Sequence, residues 1–154
     1  MLKRCFPFIL VVAIVAGCGK DKLETKPTIE LKKVNGTEFV QDTVTFRIPD
    51  LIMTLRYDDK EGDLGGGVVT YIRNRTNIDP IENPAANDKI DTIRSMLPDF
   101  PKTSTGEIDI IFPGTFLMED PRDNDTMFFD IFVQDVAGNV SDTISTPTIV
   151  QRKQ

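Results

Sequence analysis

After residue 27, apolar and polar residues alternate along most of the chain, the period-two pattern of strands that bury one face. In Thr28–Val34 the apolar Ile29, Leu31 and Val34 sit among charged neighbours, and Asn35-Gly36 follows as a turn. Residues 43–48 set Val44, Phe46 and Ile48 on one face until Pro49-Asp50 interrupts them, and residues 51–57 resume as a strand. Residues 68–73 and 106–112 read the same way, with Ile108, Ile110 and Phe112 sharing a face. In residues 126–134, Phe129, Ile131 and Val133 are expected to point inward and Phe128 and Phe132 to the other face. Residues 135–139 turn the chain, and residues 140–150 are expected as the last strand. Pro113 and Pro147 fall at strand ends or edges, where a missing N–H costs little.

Residues 74–105 fit this pattern least well. They contain Asn83-Pro84 and Pro98-Asp99-Phe100-Pro101, and a structureless run of that length is unusual in a compact domain. Ile90, Ile93, Leu97 and Phe100 have helical spacing, whereas Ile90, Thr92, Arg94 and Met96 alternate. The alternation is preferred, because a three-point helical match arises often by chance in so short a window. It predicts an edge strand paired with residues 106–112. About seven short strands at this spacing, with no long helix, predict an all-β fold: an immunoglobulin-like antiparallel β-sandwich over residues 27–154. The Cys pair and the core Trp of antibody domains are absent.

The first twenty residues carry a different signal. Lys3 and Arg4 precede an apolar run, residues 6–16, too short to span a bilayer core and of the right length for a signal peptide. It ends in Val15-Ala16-Gly17-Cys18, which resembles the lipobox of bacterial lipoproteins. The resemblance implies cleavage after residue 17 and a Cys18 carrying diacylglycerol and N-acyl lipid. Residues 1–17 are then the signal peptide and residues 18–26, polar and without periodicity, a tether. Gly19 stands where inner-membrane retention would use Asp, and Lys20-Asp21 partly resembles a Bacteroidetes surface-export signal. The expected address is the outer membrane, facing the periplasm or the surface.

Composition then narrows the chemistry. The chain has 154 residues, a formal charge of −6, no His and no Trp. Histidine-dependent triads and imidazole metal sites are therefore excluded, and none of the four Ser lies in a nucleophile-elbow turn. Phosphate-binding glycine loops are missing too. Loss of Lys3 and Arg4 makes the mature chain more acidic still, which argues against a nucleic-acid partner. With Cys5 removed and Cys18 acylated, no disulfide or free thiol remains. Membrane attachment is then expected through the lipid anchor, with no polybasic patch to assist it.

Three segments together resemble a group of Bacteroidetes outer-membrane lipoproteins of unassigned function with Ig-like (cadherin-like) sandwiches. They are Arg56-Tyr57-Asp58-Asp59-Lys60-Glu61-Gly62-Asp63-Leu64-Gly65, then Gly106-Glu107-Ile108, then residues 132–141 (F-V-Q-D-V-A-G-N-V-S) with Thr146-Pro147. The first departs from the usual D-x-D-G-D-L-G form at Lys60 and Glu61. The resemblance implies a fold and an address, and no activity.

Strand parity in such a sandwich places the loop after residue 57 and the loop before the last strand at the same end. Asp58, Asp59, Glu61 and Asp63 would then lie near Asp135, Asn139 and Asp142. Four carboxylates within six residues repel one another, so the cluster is either splayed into water or neutralised by a cation. Ca²⁺ suits such an oxygen set. An EF-hand is excluded: counted from Asp59, Leu64 stands at the obligatory Gly and Thr70 at the bidentate Glu. The alternative is a solvated turn in which Asp side chains cap backbone N–H groups, Gly62 and Gly65 take positive φ, and Asp135, Gly138 and Asn139 form a tight hairpin. A second acidic run, residues 119–125, should fall at the opposite end as a solvated loop, with Arg122 offsetting part of its charge.

These features favour a lipid-anchored cell-envelope module with a non-catalytic binding, accessory or spacer role and an unidentified protein or glycan partner. A glycan-binding lipoprotein of an uptake system is a weaker alternative, since Tyr57 and Tyr71 are the only tyrosines and no Trp is present. A hydrolase using Asp58 and Asp63 as acid and base is weaker again.

Overall fold

The computed structural model describes residues 26–77, 90–118 and 124–153; the signal peptide, Cys18 and the tether up to residue 25 lie outside them. The described residues hold nine strands and one short helix, in the order β1 (Thr28–Val34), β2 (Glu38–Val40), β3 (Leu51–Asp58), β4 (Val68–Arg75), β5 (Ile90–Met96), β6 (Thr105–Phe112), α1 (Gly114–Leu117), β7 (Asp125–Gln134), β8 (Ile144–Ser145) and β9 (Ile149–Arg152). They form two sheets, β1-β3-β6 and β2-β9-β7-β4-β5, with β8 paired to β7. The ladders are antiparallel except β2–β9, which is parallel. This is the expected all-β sandwich.

Its core follows from alternation. Leu51, Met53 and Leu55 of β3 are completely buried, as are Met127, Phe129, Ile131 and Val133 of β7, and both rows belong to one hydrophobic core between the sheets. In β1 the apolar spacing slips between Leu31 and Val34, and a bulge between Leu31 and Lys33 takes up the extra residue. An aromatic cluster ties the sheets together. Phe112 of β6 stacks on Phe129 of β7 at 4.9 Å and on Phe116 of α1 at 5.3 Å, while Tyr71 of β4 meets it edge-on at 4.6 Å. The buried Arg73 guanidinium lies 4.1 Å above the Phe116 ring.

Three local expectations are corrected. Residues 43–48 form no strand. The Asp42 carboxylate accepts hydrogen bonds from Thr45 and Val44, which hold its pKa below the ordinary value and wind the segment into a turn. Phe46 takes φ +56°, and Val44 and Phe46 are left 83% and 73% exposed. The strand in this region is β2, whose Phe39 is buried. The predicted edge strand at Ile90–Met96 exists, but it pairs with β4 instead of residues 106–112. Alternation fixes which side chains share a face and leaves open which neighbour supplies the hydrogen bonds. Finally, residues 140–150 are not one strand. Pro147 separates β8 from β9, and the Thr146 side chain bridges to the Phe129 N–H beside the break.

Phe129 has no exposed surface and sits at the centre of the aromatic cluster. Phe129→Ala is expected to cost about 3–5 kcal/mol of unfolding free energy in a denaturant titration, whereas truncation of exposed Phe46 should cost far less. Equal effects of the two substitutions would refute this assignment of the core.

Candidate metal centre

The acidic loop after β3 and the hairpin after β7 meet because β4 lies beside β7 in the register Val68↔Gln134. That pairing brings the start of β4 and the end of β7 to one pole of the sandwich. The loops are then joined directly: the Val136 N–H donates to the Asp63 carbonyl at 3.2 Å. Gly67 runs so close to the Gln134 and Leu64 carbonyls that a Cβ there would collide with them, and it would crowd the Asp135 Cα. Positive φ falls on Gly62 (+67°) and Gly66 (+76°), so the turn uses Gly66 where the sequence suggested Gly65.

The seven candidate ligands separate into distinct roles. Glu61, Asp63 and Asp135 converge, each offering a carboxylate oxygen within 4.8 Å of the others. Asp59 turns inward instead. It is 1% exposed, and its two oxygens accept the N–H groups of Glu61, Asp63 and Leu64 at 3.2, 2.9 and 2.9 Å. It organises the loop as an Asx-type cap, with its charge spent on the backbone. Asp58 is exposed at the end of β3 and stands outside the convergent group. Asp142 is exposed as well and pairs with Lys26. Asn139 closes the hairpin, donating its backbone N–H to Asp135 Oδ1 at 2.7 Å and its side-chain amide to Oδ2 at 2.9 Å.

Asp63 and Asp135 therefore differ. Asp135 is buried but satisfied by Asn139. Asp63 Oδ1 is buried and accepts no hydrogen bond among the described residues. A buried carboxylate oxygen without a donor, next to two further carboxylates, is costly unless positive charge compensates it. Asp99, from the connection between β5 and β6, adds to the negative charge at this pole: its Oδ1 lies 2.9 Å from where a Cβ on Gly66 would stand. Sequence reasoning missed Asp99, which belongs to neither loop, and missed the role of Gly67. Three consecutive glycines against a strand start were the available signal for a close backbone approach.

Of the second acidic run, residues 119–123, including Arg122, lie outside the described residues; Asp125 begins β7, at the end of that strand away from the acidic loops. Asp125 is not solvated as expected. It is fully buried and pairs with Arg75 at 2.9 Å. Of the two tyrosines, Tyr57 is buried with its hydroxyl 2.8 Å from Thr103, and the half-buried Tyr71 packs edge-on against Phe112.

No family model and no curated protein matches the chain. Among solved structures it is similar to a bacterial adhesin from Mobiluncus mulieris (12% identity, TM-score 0.42), over 84% of this chain and 58% of the adhesin chain. It is also similar to the CooA pilin subunit of enterotoxigenic Escherichia coli (11%, 0.37), over 84% of this chain and 97% of the pilin. A β-glucosidase from Kluyveromyces marxianus gives 8% and 0.37, over 84% of this chain and 15% of the enzyme. The chain thus spans just over half of the adhesin chain it resembles, and none of these likenesses reaches a TM-score of 0.5.

Proposed function

We propose that the chain is a lipid-anchored module of the cell envelope with a non-catalytic binding, accessory or spacer role, and that Ca²⁺ stabilises its acidic pole. The observation that carries the calcium reading is the convergence of Glu61, Asp63 and Asp135, with a buried Asp63 oxygen that accepts no hydrogen bond among the described residues. A hard cation that takes several oxygens from flexible loops fits this donor set. It would neutralise the charges and hold the β3–β4 loop against the β7 hairpin, while Asp59 keeps the loop in shape from inside. The anchor is assigned to Cys18 from its lipobox, with the outer membrane as the address. In support, β1 leaves the tether at this same pole, where Thr28 is opposite Asp58 and Lys26 pairs with Asp142. Calcium would thus brace the end of the domain from which the tether departs.

A cation that binds only the folded form adds RT ln(1 + [L]/Kd), about 2.7 kcal/mol at a hundredfold excess over Kd. The Tm is expected to rise by several degrees in millimolar Ca²⁺ and to fall with EDTA. Asp63→Asn and Asp135→Asn should abolish that response, and Mg²⁺ should do less because it demands stricter geometry. Asp59→Ala removes hydrogen bonds to a charged acceptor and should lower the Tm both with and without Ca²⁺, by about 1.5–3 kcal/mol in stability. A melting curve indifferent to Ca²⁺ and EDTA would overturn the calcium reading and leave the rest intact.

The anchor is tested separately. Cys18→Ser should release the protein from the membrane fraction or leave it as unprocessed precursor. Mass spectrometry of the wild-type mature protein should find an acylated Cys18 at the N-terminus; any other mature N-terminus would refute the lipoprotein reading.

A further inference from the structure

Both sheets end in an edge strand on the same side of the molecule. Among the described residues, β5 closes one sheet and pairs only with β4, and β6 closes the other and pairs only with β3. Between these edges lies a groove of about 390 Å³, walled by Ser95 and Met96 of β5 and by residues 107–111 of β6. Its lining is largely apolar, with Val69, Tyr71, Leu97 and Phe100 among the contributors and Ile108 and Ile110 from β6. Met96 and Ile111 stand on its rim, 78% and 60% exposed. The sequence suggested that β5 and β6 pair with each other. Because β5 pairs with β4, that side of the sandwich is left open among the described residues.

The outer face of β6 says what could close it. Across the sheet, Glu30, Arg56 and Glu107 stand in one row, alternating in sign from strand to strand. The next row carries Thr54 and Asp109, joined by a 2.7 Å hydrogen bond. Glu107 already shares its charge with Lys32 of β1, whereas Asp109 has a hydroxyl partner and no ion pair among the described residues. A strand added beyond β6 would set its outward side chains beside both carboxylates, where cations complement Asp109 above all. Its inward side chains would enter the apolar groove. A second copy of the chain is a poor occupant. Pairing β6 with β6 brings Glu107 and Asp109 close to their own duplicates, and any self-contact brings together two chains of charge −6. A lipid chain would fill the groove and leave the backbone N–H and C=O groups of both edges unpaired, whereas a strand pairs them.

We propose that this groove is a docking slot for an extended segment of another protein, alternately apolar and basic, which adds to β6 as a further strand. Residues 107–111 offer a track of about 17 Å, five residues at ~3.4 Å each. The slot lies on β5 and β6, so this goes beyond the calcium and lipid readings, and its test uses neither.

The probe is a synthetic nonapeptide alternating valine and lysine, titrated onto the full chain in EDTA by fluorescence anisotropy, with backbone hydrogen exchange mapping its position. It should bind and slow exchange across residues 107–111. The same peptide with glutamate in place of lysine should bind at least ~10-fold more weakly. The variant Glu107→Lys with Asp109→Lys, on two exposed positions, should reverse that order. A proline at the peptide's centre removes a ladder N–H and should abolish binding to the wild-type chain, a test that needs no variant. The proposal is overturned by binding of neither peptide, by an unchanged order in the double variant, by tolerance of the central proline, or by protection mapping away from β6. Protection of β6 that grows with protein concentration alone would also overturn it, because a second copy would then be the occupant.

Discussion

The pairing of β4 with β7 is the constraint on which the rest of the molecule depends. β7 is buried at every alternate position from Met127 to Val133, and its register with β4 runs unbroken from Val68↔Gln134 to Arg75↔Met127. Because side chains alternate with period two, a slip of one residue would turn the Phe129 row out to solvent and bring the Phe128 row in. The buried row thus locks the ladder, and the ladder sets what lies at each end of it. At one end Gln134 delivers Asp135 against the loop that carries Glu61 and Asp63. At the other end the buried pair Arg75–Asp125 closes the ladder.

The acidic pole shows why a count of carboxylates does not define a site. Seven oxygen-bearing side chains were candidates, and backbone hydrogen bonding sorted them. The two oxygens of Asp59 are committed to three N–H groups, and those of Asp135 to Asn139. Such bonds build the loops and at the same time draw down the charge available for anything else. Asp63 differs because its own N–H and carbonyl are used in the loop while one side-chain oxygen accepts nothing among the described residues. The cation reading rests on that asymmetry within the cluster.

Edges shape the molecule as much as its core does. Two open sheets leave edge strands, and exposed edges invite pairing. Acidic side chains on β6 discourage a like-charged copy of the chain while leaving the edge open to a strand of opposite charge. The turn at residues 42–46 is a different case: it holds Val44 and Phe46 in water through bonds to Asp42 and from Gln41.

By itself, the sequence determined the fold class, the strand β3, the faces of β6 and β7, the hairpin at Asp135–Asn139 and the meeting of two loops at one pole. All of these follow from local periodicity and turn chemistry, which a single chain carries in full. The tertiary structure decided the rest. Ile90–Met96 alternates equally well beside β4 or β6, and only the competition for hydrogen-bond partners chose β4. Val44, Phe46 and Ile48 alternate like a strand, yet Asp42 captured the backbone of that segment first. The acidic loop spelled out its charges but not their directions, since whether an Asp faces the backbone or a neighbouring carboxylate depends on which N–H groups the folded loop turns toward it. Charge is a property of composition; convergence is a property of packing.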